Sequence, residues 1–181
     1  YSLLPTARGG EFGDGFPTRL FAFETGGRTL LLADNAGGDC GATLIDPAAR
    51  QRLAWLDSGP SALGEFGMLD DSLAVATRNG VTIKRGENES VHSHAEQQDL
   101  IVIDFAPLAG GGQPDCERIA FDDYVYFCRP LATSRSPRAL VGFFGRRDQQ
   151  LELGVYDIAG RRLGDRQPTI GVVRGMVASE R

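Results

Sequence analysis

The only two histidines of this 181-residue chain lie two positions apart, in Val91-His92-Ser93-His94-Ala95-Glu96. Alternate residues of an extended strand share a face, so His92, His94 and Glu96 would together offer two imidazoles and a carboxylate to a metal ion. The stretch around them, Glu87 to Gln98, is uniformly polar and poor in strand formers, and by its own composition reads as an exposed loop. Nucleophile patterns are incomplete. Gly59-Pro60-Ser61-Ala62-Leu63-Gly64 carries one residue too many for a Gly-x-Ser-x-Gly elbow. Lys84 is the only lysine, and Val81 holds the one position from which a Ser-x-x-Lys pair could be built. Gly110-Gly111-Gly112 has no Lys-Ser/Thr after it to make a phosphate loop. The acid pairs Asp70-Asp71 and Asp122-Asp123 read as turns, because neighbouring strand residues point to opposite faces and Asp side chains bond to nearby backbone amides. Asn88-Glu89-Ser90 is a glycosylation sequon, meaningful only in a eukaryotic secretory host. No catalytic group and no cofactor is expected from these residues.

Three cysteines give a sharper signal. Cys116-Glu-Arg-Ile-Ala-Phe-Asp-Asp-Tyr-Val-Tyr-Phe-Cys128 reads as two strands around an Asp122-Asp123 turn. With Phe121-Asp122-Asp123 as the loop, Ala120 faces Tyr124 and Cys116 falls opposite Cys128, as a cross-strand disulfide requires. A two-residue loop would set Glu117 against Cys128 instead. The bridge implies an oxidising, extracytoplasmic compartment, periplasmic or secreted; three reduced thiols in the cytosol is the alternative. Cys40, in Gly37-Gly38-Asp39-Cys40-Gly41, has no second ligand nearby. In the three-residue register Ile119, Val125 and Phe127 form a core face, while Arg118, Tyr124 and Tyr126 share the other, a composition suited to contact with a protein.

These residues need a scaffold, and its pattern is β. Twenty-four glycines and nine prolines divide the chain into short elements. Arg19–Thr25 and Arg28–Asp34 flank Gly26-Gly27, and Ser72–Arg78 and Val81–Arg85 flank Asn79-Gly80; both read as hairpins. Further strands are expected at Ala42–Ile45, Asp99–Phe105, Ala139–Phe144, Leu151–Asp157 and Thr169–Val173. Asp46-Pro47 fits a helix start, but a turn followed by a strand at Gln51–Leu56 explains the segment as well and is preferred. The whole is expected as one all-β domain over residues 1–181, with 1–18 an irregular lead-in: a small, irregular propeller-like fold, or an antiparallel sandwich or barrel.

Two stretches repeat. Thr43-Leu-Ile-Asp46-Pro-Ala-Ala-Arg50-Gln-Arg-Leu53 and Gly154-Val-Tyr-Asp157-Ile-Ala-Gly160-Arg-Arg-Leu163 each run a strand into Asp, a short turn, a basic residue and a strand opening at Leu. This resembles the outer hairpin of β-propeller blades. Their 111-residue offset, however, is an awkward fraction of a blade of about 40 to 45 residues. The histidine segment resembles the first cupin motif, with Gly86 ahead of His92, His94 following, and Asp99 where that family carries Glu. That resemblance implies a metal-binding β-barrel enzyme with His92, His94 and Asp99 as ligands, but no third histidine follows to complete the usual set.

Net charge is −5, against general binding to a nucleic-acid backbone. Residues 129–181 hold ten Arg against five acids, the remainder nine basic groups against nineteen acids, an asymmetry that would suit a directional protein contact. Apolar runs such as Leu100-Ile101-Val102-Ile103 are strand-sized and cannot span a membrane as a helix. The chain starts at Tyr1, so a processed product is expected. The function expected is non-catalytic binding to another protein, of an inhibitor or immunity type. The alternatives are the cupin-like metal enzyme and a carbohydrate-binding or structural module.

Overall fold

The computed structural model describes residues 17–35, 41–56, 63–78, 82–86, 89–93, 99–131, 136–145 and 150–169. Gly26 and Gly27 take φ of 55° and 69°, the left-handed conformation that a two-residue type I′ loop demands. They join β1 (Pro17–Thr25) to β2 (Arg28–Asn35), with Thr25 opposite Arg28. β3 (Gly41–Asp46) and β4 (Gln51–Leu56) complete a four-stranded antiparallel meander. Residues 47–50 form the expected turn.

The second sheet begins with β5 (Leu63–Met68) and β6 (Leu73–Arg78). The chain then makes a separate hairpin of β7 (Thr82–Gly86) and β8 (Glu89–Ser93) and returns as β9 (Asp99–Asp104) beside β6. A 3-10 turn at Ala106–Gly110 leads to β10 (Asp115–Ala120), giving the order β10-β9-β6-β5. The third sheet runs β11 (Tyr124–Leu131), β12 (Arg138–Phe144) and β13 (Leu151–Asp157). Its last position is shared by two short segments, β14 (Arg162–Leu163) and β15 (Gln167–Pro168), both paired to β13. The fold is therefore all-β. Among the described residues there is no α-helix, and none of the three sheets closes into a barrel.

The three sheets stack in chain order. Phe23, Leu30, Leu32, Leu44 and Leu56 of the first pack against Ala74, Ala76, Ile101 and Ile103 of the second. The opposite face of that second sheet, through Val75, Leu100 and Val102, packs against Val125, Val141, Phe143 and Tyr156 of the third. This explains the unbroken run Leu100-Ile101-Val102-Ile103: a strand covered on both faces has no solvent side to alternate with. Gly67 sits where the second seam closes tightest. A Cβ there would lie 2.7 Å from Pro130 Cδ on β11.

An aspartate ends the third strand of every sheet: Asp46, Asp104 and Asp157. Asp46 Oδ1 accepts a hydrogen bond from the Ala49 amide and Asp157 Oδ1 from that of Gly160, at 2.9 and 3.0 Å. The residue after each donor, Arg50 and Arg161, takes φ of 53° and 48°. The two repeated sequences are thus one turn built twice. Asp104 Oδ1 accepts from the Ala106 amide instead, because Pro107 carries the chain into the 3-10 turn. Their spacing is 58 and 53 residues, so the 111-residue offset is two sheets, lengthened by the β7–β8 hairpin and by the loops.

Two expectations are corrected. β10 and β11 are not partners: β10 pairs with β9, setting Cys116 opposite Ile103, while β11 pairs with β12, setting Cys128 opposite Val141. Cys116 is exposed on the second sheet and Cys128 buried in the third, and no disulfide joins them. Phe121-Asp122-Asp123 is a crossing between sheets instead of a hairpin loop. Phe121 packs edge-on to Phe143 and Tyr156, at centroid separations of 5.0 and 5.8 Å. With that bond goes the ground for expecting an oxidising compartment. The Asn79-Gly80 hairpin is also absent as a pairing, since β6 lies between β5 and β9, and β7 pairs with β8. The strand expected at Thr169–Val173 falls beyond Thr169 outside the described residues, as does the 1–16 part of the lead-in.

Burial also separates the thiols chemically. Desolvation, reinforced by the negative charge of Glu65, pushes the Cys128 thiol far above its usual range, leaving almost no thiolate to react. In the native protein Cys116 should therefore alkylate with iodoacetamide while Cys128 is protected until denaturant is added. Peptide mapping by mass spectrometry reads both sites; equal native labelling would contradict the buried placement.

Candidate binding groove

β1 and β5 are the first strands of neighbouring sheets, and a groove of about 560 Å³ runs between them. Strand alternation supplies its walls. Phe21 and Phe23 point from β1 towards the second sheet, and Phe66 and Met68 point back from β5. Phe66 lies 5.4 Å from Phe21 and 5.2 Å from Phe23 by ring centroids, both tilted, and Phe23 stacks on Phe105 at 4.8 Å. The floor is thus an aromatic cluster that is only partly covered.

Two hydrogen bonds pin the groove at its ends. The Arg19 guanidinium donates to the Gly64 carbonyl at one end, and the Thr25 hydroxyl donates to the Asp71 carbonyl at the other. The Thr25 end is acidic, with Glu24, Asp70 and Asp71 in the lining. Asp70 Oδ1 accepts from the amides of Ser72 and Leu73 at 2.8 Å each, so its sequence reading as a turn residue holds while its charge remains at the rim. Glu24 accepts from the Thr29 hydroxyl. The other edge of β1 has no strand partner among the described residues. An edge strand beside an apolar trough with an anionic end is chemically able to pair main chain with an extended segment and to seat its alternate side chains.

The residues singled out in the sequence are dispersed. Arg118 lies on β10 of the second sheet, opposite Ile101, whereas Tyr124 and Tyr126 are on β11 of the third. Tyr124 stands opposite Phe144, and Tyr126 occupies a bulge, 66% exposed. The hairpin face that was to unite them does not form. His92 is on β8 opposite Ile83, and Asp99 opens β9 opposite Ala120. His94 and Glu96 lie outside the described residues. Among the described residues no cluster of three His, Cys, Asp or Glu could hold a metal. Asp123 pairs with Arg166 at 2.5 Å, across the end of the third sheet.

The charge asymmetry is partly consumed within the stack. Arg129 pairs with Glu65, and Arg161 with Glu117 at 2.9 Å; both bridges tie the third sheet to the second. These two arginines therefore answer acids from earlier in the chain. Such exposed pairs add little stability. No membrane-crossing helix is present among the described residues. The groove itself escaped sequence reading because its two walls, 21–23 and 66–68, come from strands of different sheets, and β5 lacks a strand-like alternation. Comparison of the chain with protein-family models, with curated proteins and with solved structures finds no match.

Proposed function

We propose that this protein is a non-catalytic recognition module that takes an extended segment of another protein into the groove between β1 and β5. The observation that carries this reading is the groove's construction: a strand edge with no partner among the described residues, an aromatic and Met floor, and carboxylates gathered at one end. We read the scaffold as propeller-like, three blade-like meanders in series, which holds both walls rigidly and keeps the ordering cost of binding low. The preferred segment has large apolar side chains at alternate positions and a Lys or Arg beyond them to meet Asp71.

Selection from a displayed library of extended peptides tests it directly. Wild-type protein should enrich alternating apolar sequences ending in a basic residue, and binding should weaken as salt is raised. The variant Asp71→Arg alters only an exposed side chain and should lose the basic preference and at least about tenfold in affinity, roughly 1.4 kcal/mol. No enrichment over a Gly-Ser control, or enrichment indifferent to this variant, would refute the groove as the site.

A further inference from the structure

The terminal aspartates define a common register for the three sheets, and with it a direction. Counting back from Asp46, Leu44 and Ala42 face the second sheet; counting back from Asp104, Val102 and Leu100 face the third. By the same count Val155, Leu153 and Leu151 form a forward face with no sheet over it among the described residues. Odd positions face backward: Ile103 and Ile101 to the first sheet, Tyr156 and Gly154 to the second. Their counterparts in the first sheet, Ile45 and Thr43, look out of the stack.

Both end faces are apolar. The backward face of the first sheet carries a row across four strands, Leu20, Ala33, Thr43 and Trp55, beside Ala22, Leu31 and Ile45; the outer two, Leu20 and Trp55, are exposed, while Ala33 and Thr43 between them are buried. The forward face of the third carries Leu140 and Phe144 beside the β13 residues, and the Phe127 ring lies over Gly142. Five large hydrophobic side chains are exposed among the described residues, and four of them, Leu20, Trp55, Phe144 and Val155, lie on these two faces. Large apolar side chains exposed in pairs on two facing ends suit a contact between chains.

We propose that a second copy of this chain covers both faces, the third sheet of each copy packing forward onto the first sheet of the other. The two end faces are by register the same pair that already meets twice inside the chain, so the new seams continue an interface the molecule has built. Each seam joins unlike faces, and a two-fold axis relates the two seams, so that two copies close into a ring of six sheets. Six falls within the range of about 4–8 blades that closed β-propellers adopt, whereas three does not.

Sedimentation equilibrium of the full chain at micromolar concentration, with the variants Trp55→Glu and Val155→Arg, decides the matter. The wild type should sediment at twice the 19.5 kDa of one chain. Each variant alone should fall to the single-chain mass with an unchanged far-ultraviolet spectrum, since both side chains are already part-exposed. An equimolar mixture of the two variants should regain dimers, because one unaltered seam remains between the third sheet of the Trp55→Glu copy and the first sheet of the Val155→Arg copy. A monomeric wild type overturns the proposal. So does dissociation by only one variant, which would mean like faces meeting, and so does a mixture that stays monomeric.

Discussion

Phe143→Ala should cost about 3–5 kcal/mol of folding stability, a large share of the roughly 5–15 kcal/mol that holds a domain folded. Phe143 is 0% exposed on β12, in the seam between the second and third sheets. Phe121 meets its ring edge-on at 5.0 Å, and the Arg166 guanidinium lies 3.9 Å from its centroid on another side. Gly154, on the neighbouring strand opposite Val141, leaves room for the ring, its would-be Cβ only 3.3 Å from Phe143 Cε2. Truncation therefore removes the transfer energy of the ring, opens a cavity lined by strands that cannot collapse, and strands Arg166 without its aromatic partner. Urea unfolding followed by tryptophan fluorescence checks it, with Gln113→Ala at an exposed loop position as a control expected within about 0.5 kcal/mol. Trp55 reports from the first sheet. A single shared transition is expected, because β6 and β9 belong to both cores. A loss below about 1 kcal/mol would mean that Phe143 does not occupy the seam.

Alkaline pH should destabilise the protein, and Cys128 should be the main reason. Its thiol is buried, so its folded pKa is raised far above the unfolded value of about 8.5. Above that value the unfolded chain releases the proton while the folded chain keeps it, so stability falls as pH rises. The slope approaches about 1.4 kcal/mol per pH unit for one proton, and amounts to roughly 2–3 kcal/mol between pH 8.5 and 10.5. Tyr156, raised by burial and then by Glu117, adds a loss of the same sign once the unfolded phenol ionises near pH 10. Urea midpoints measured across this window for wild type and Cys128→Ala isolate the thiol. The alanine variant should show the shallower profile, and parallel profiles would refute the assignment.

Much of the scaffold was legible because it is locally encoded. Gly26-Gly27 needs positive φ, Asp46 and Asp157 need a nearby amide, and Leu100–Ile103 needs cover on both faces; each requirement is met within a few residues or by composition alone. What failed depended on choosing among partners. Counting from Phe121-Asp122-Asp123 gives Cys116 opposite Cys128 only if β10 and β11 pair, yet the same strand–turn–strand pattern serves equally to pass from one sheet to the next. Asn79-Gly80 misled for the same reason: a good hairpin signal cannot state which later strand wins, and β9 takes the place beside β6. The excess of Arg in residues 129–181 suggested a directional contact, yet within the stack Arg129 meets Glu65 and Arg161 meets Glu117, pairings between sheets that a charge count does not show. The groove was invisible because no single segment contains it.

The chain leaves the second sheet after Arg78 and re-enters it at Asp99 on the adjacent strand, with Thr77 already opposite Leu100. Everything between, including the β7–β8 hairpin, is therefore a loop whose base is clamped by the β6–β9 ladder. Closing a loop costs little more as it grows, about 0.6 kcal/mol for each doubling of length, so its size is nearly independent of the stability of the stack. Insertions or deletions between Arg78 and Asp99 should consequently cost the stack little, which makes this excursion a place where new side chains can be tried without re-solving the fold.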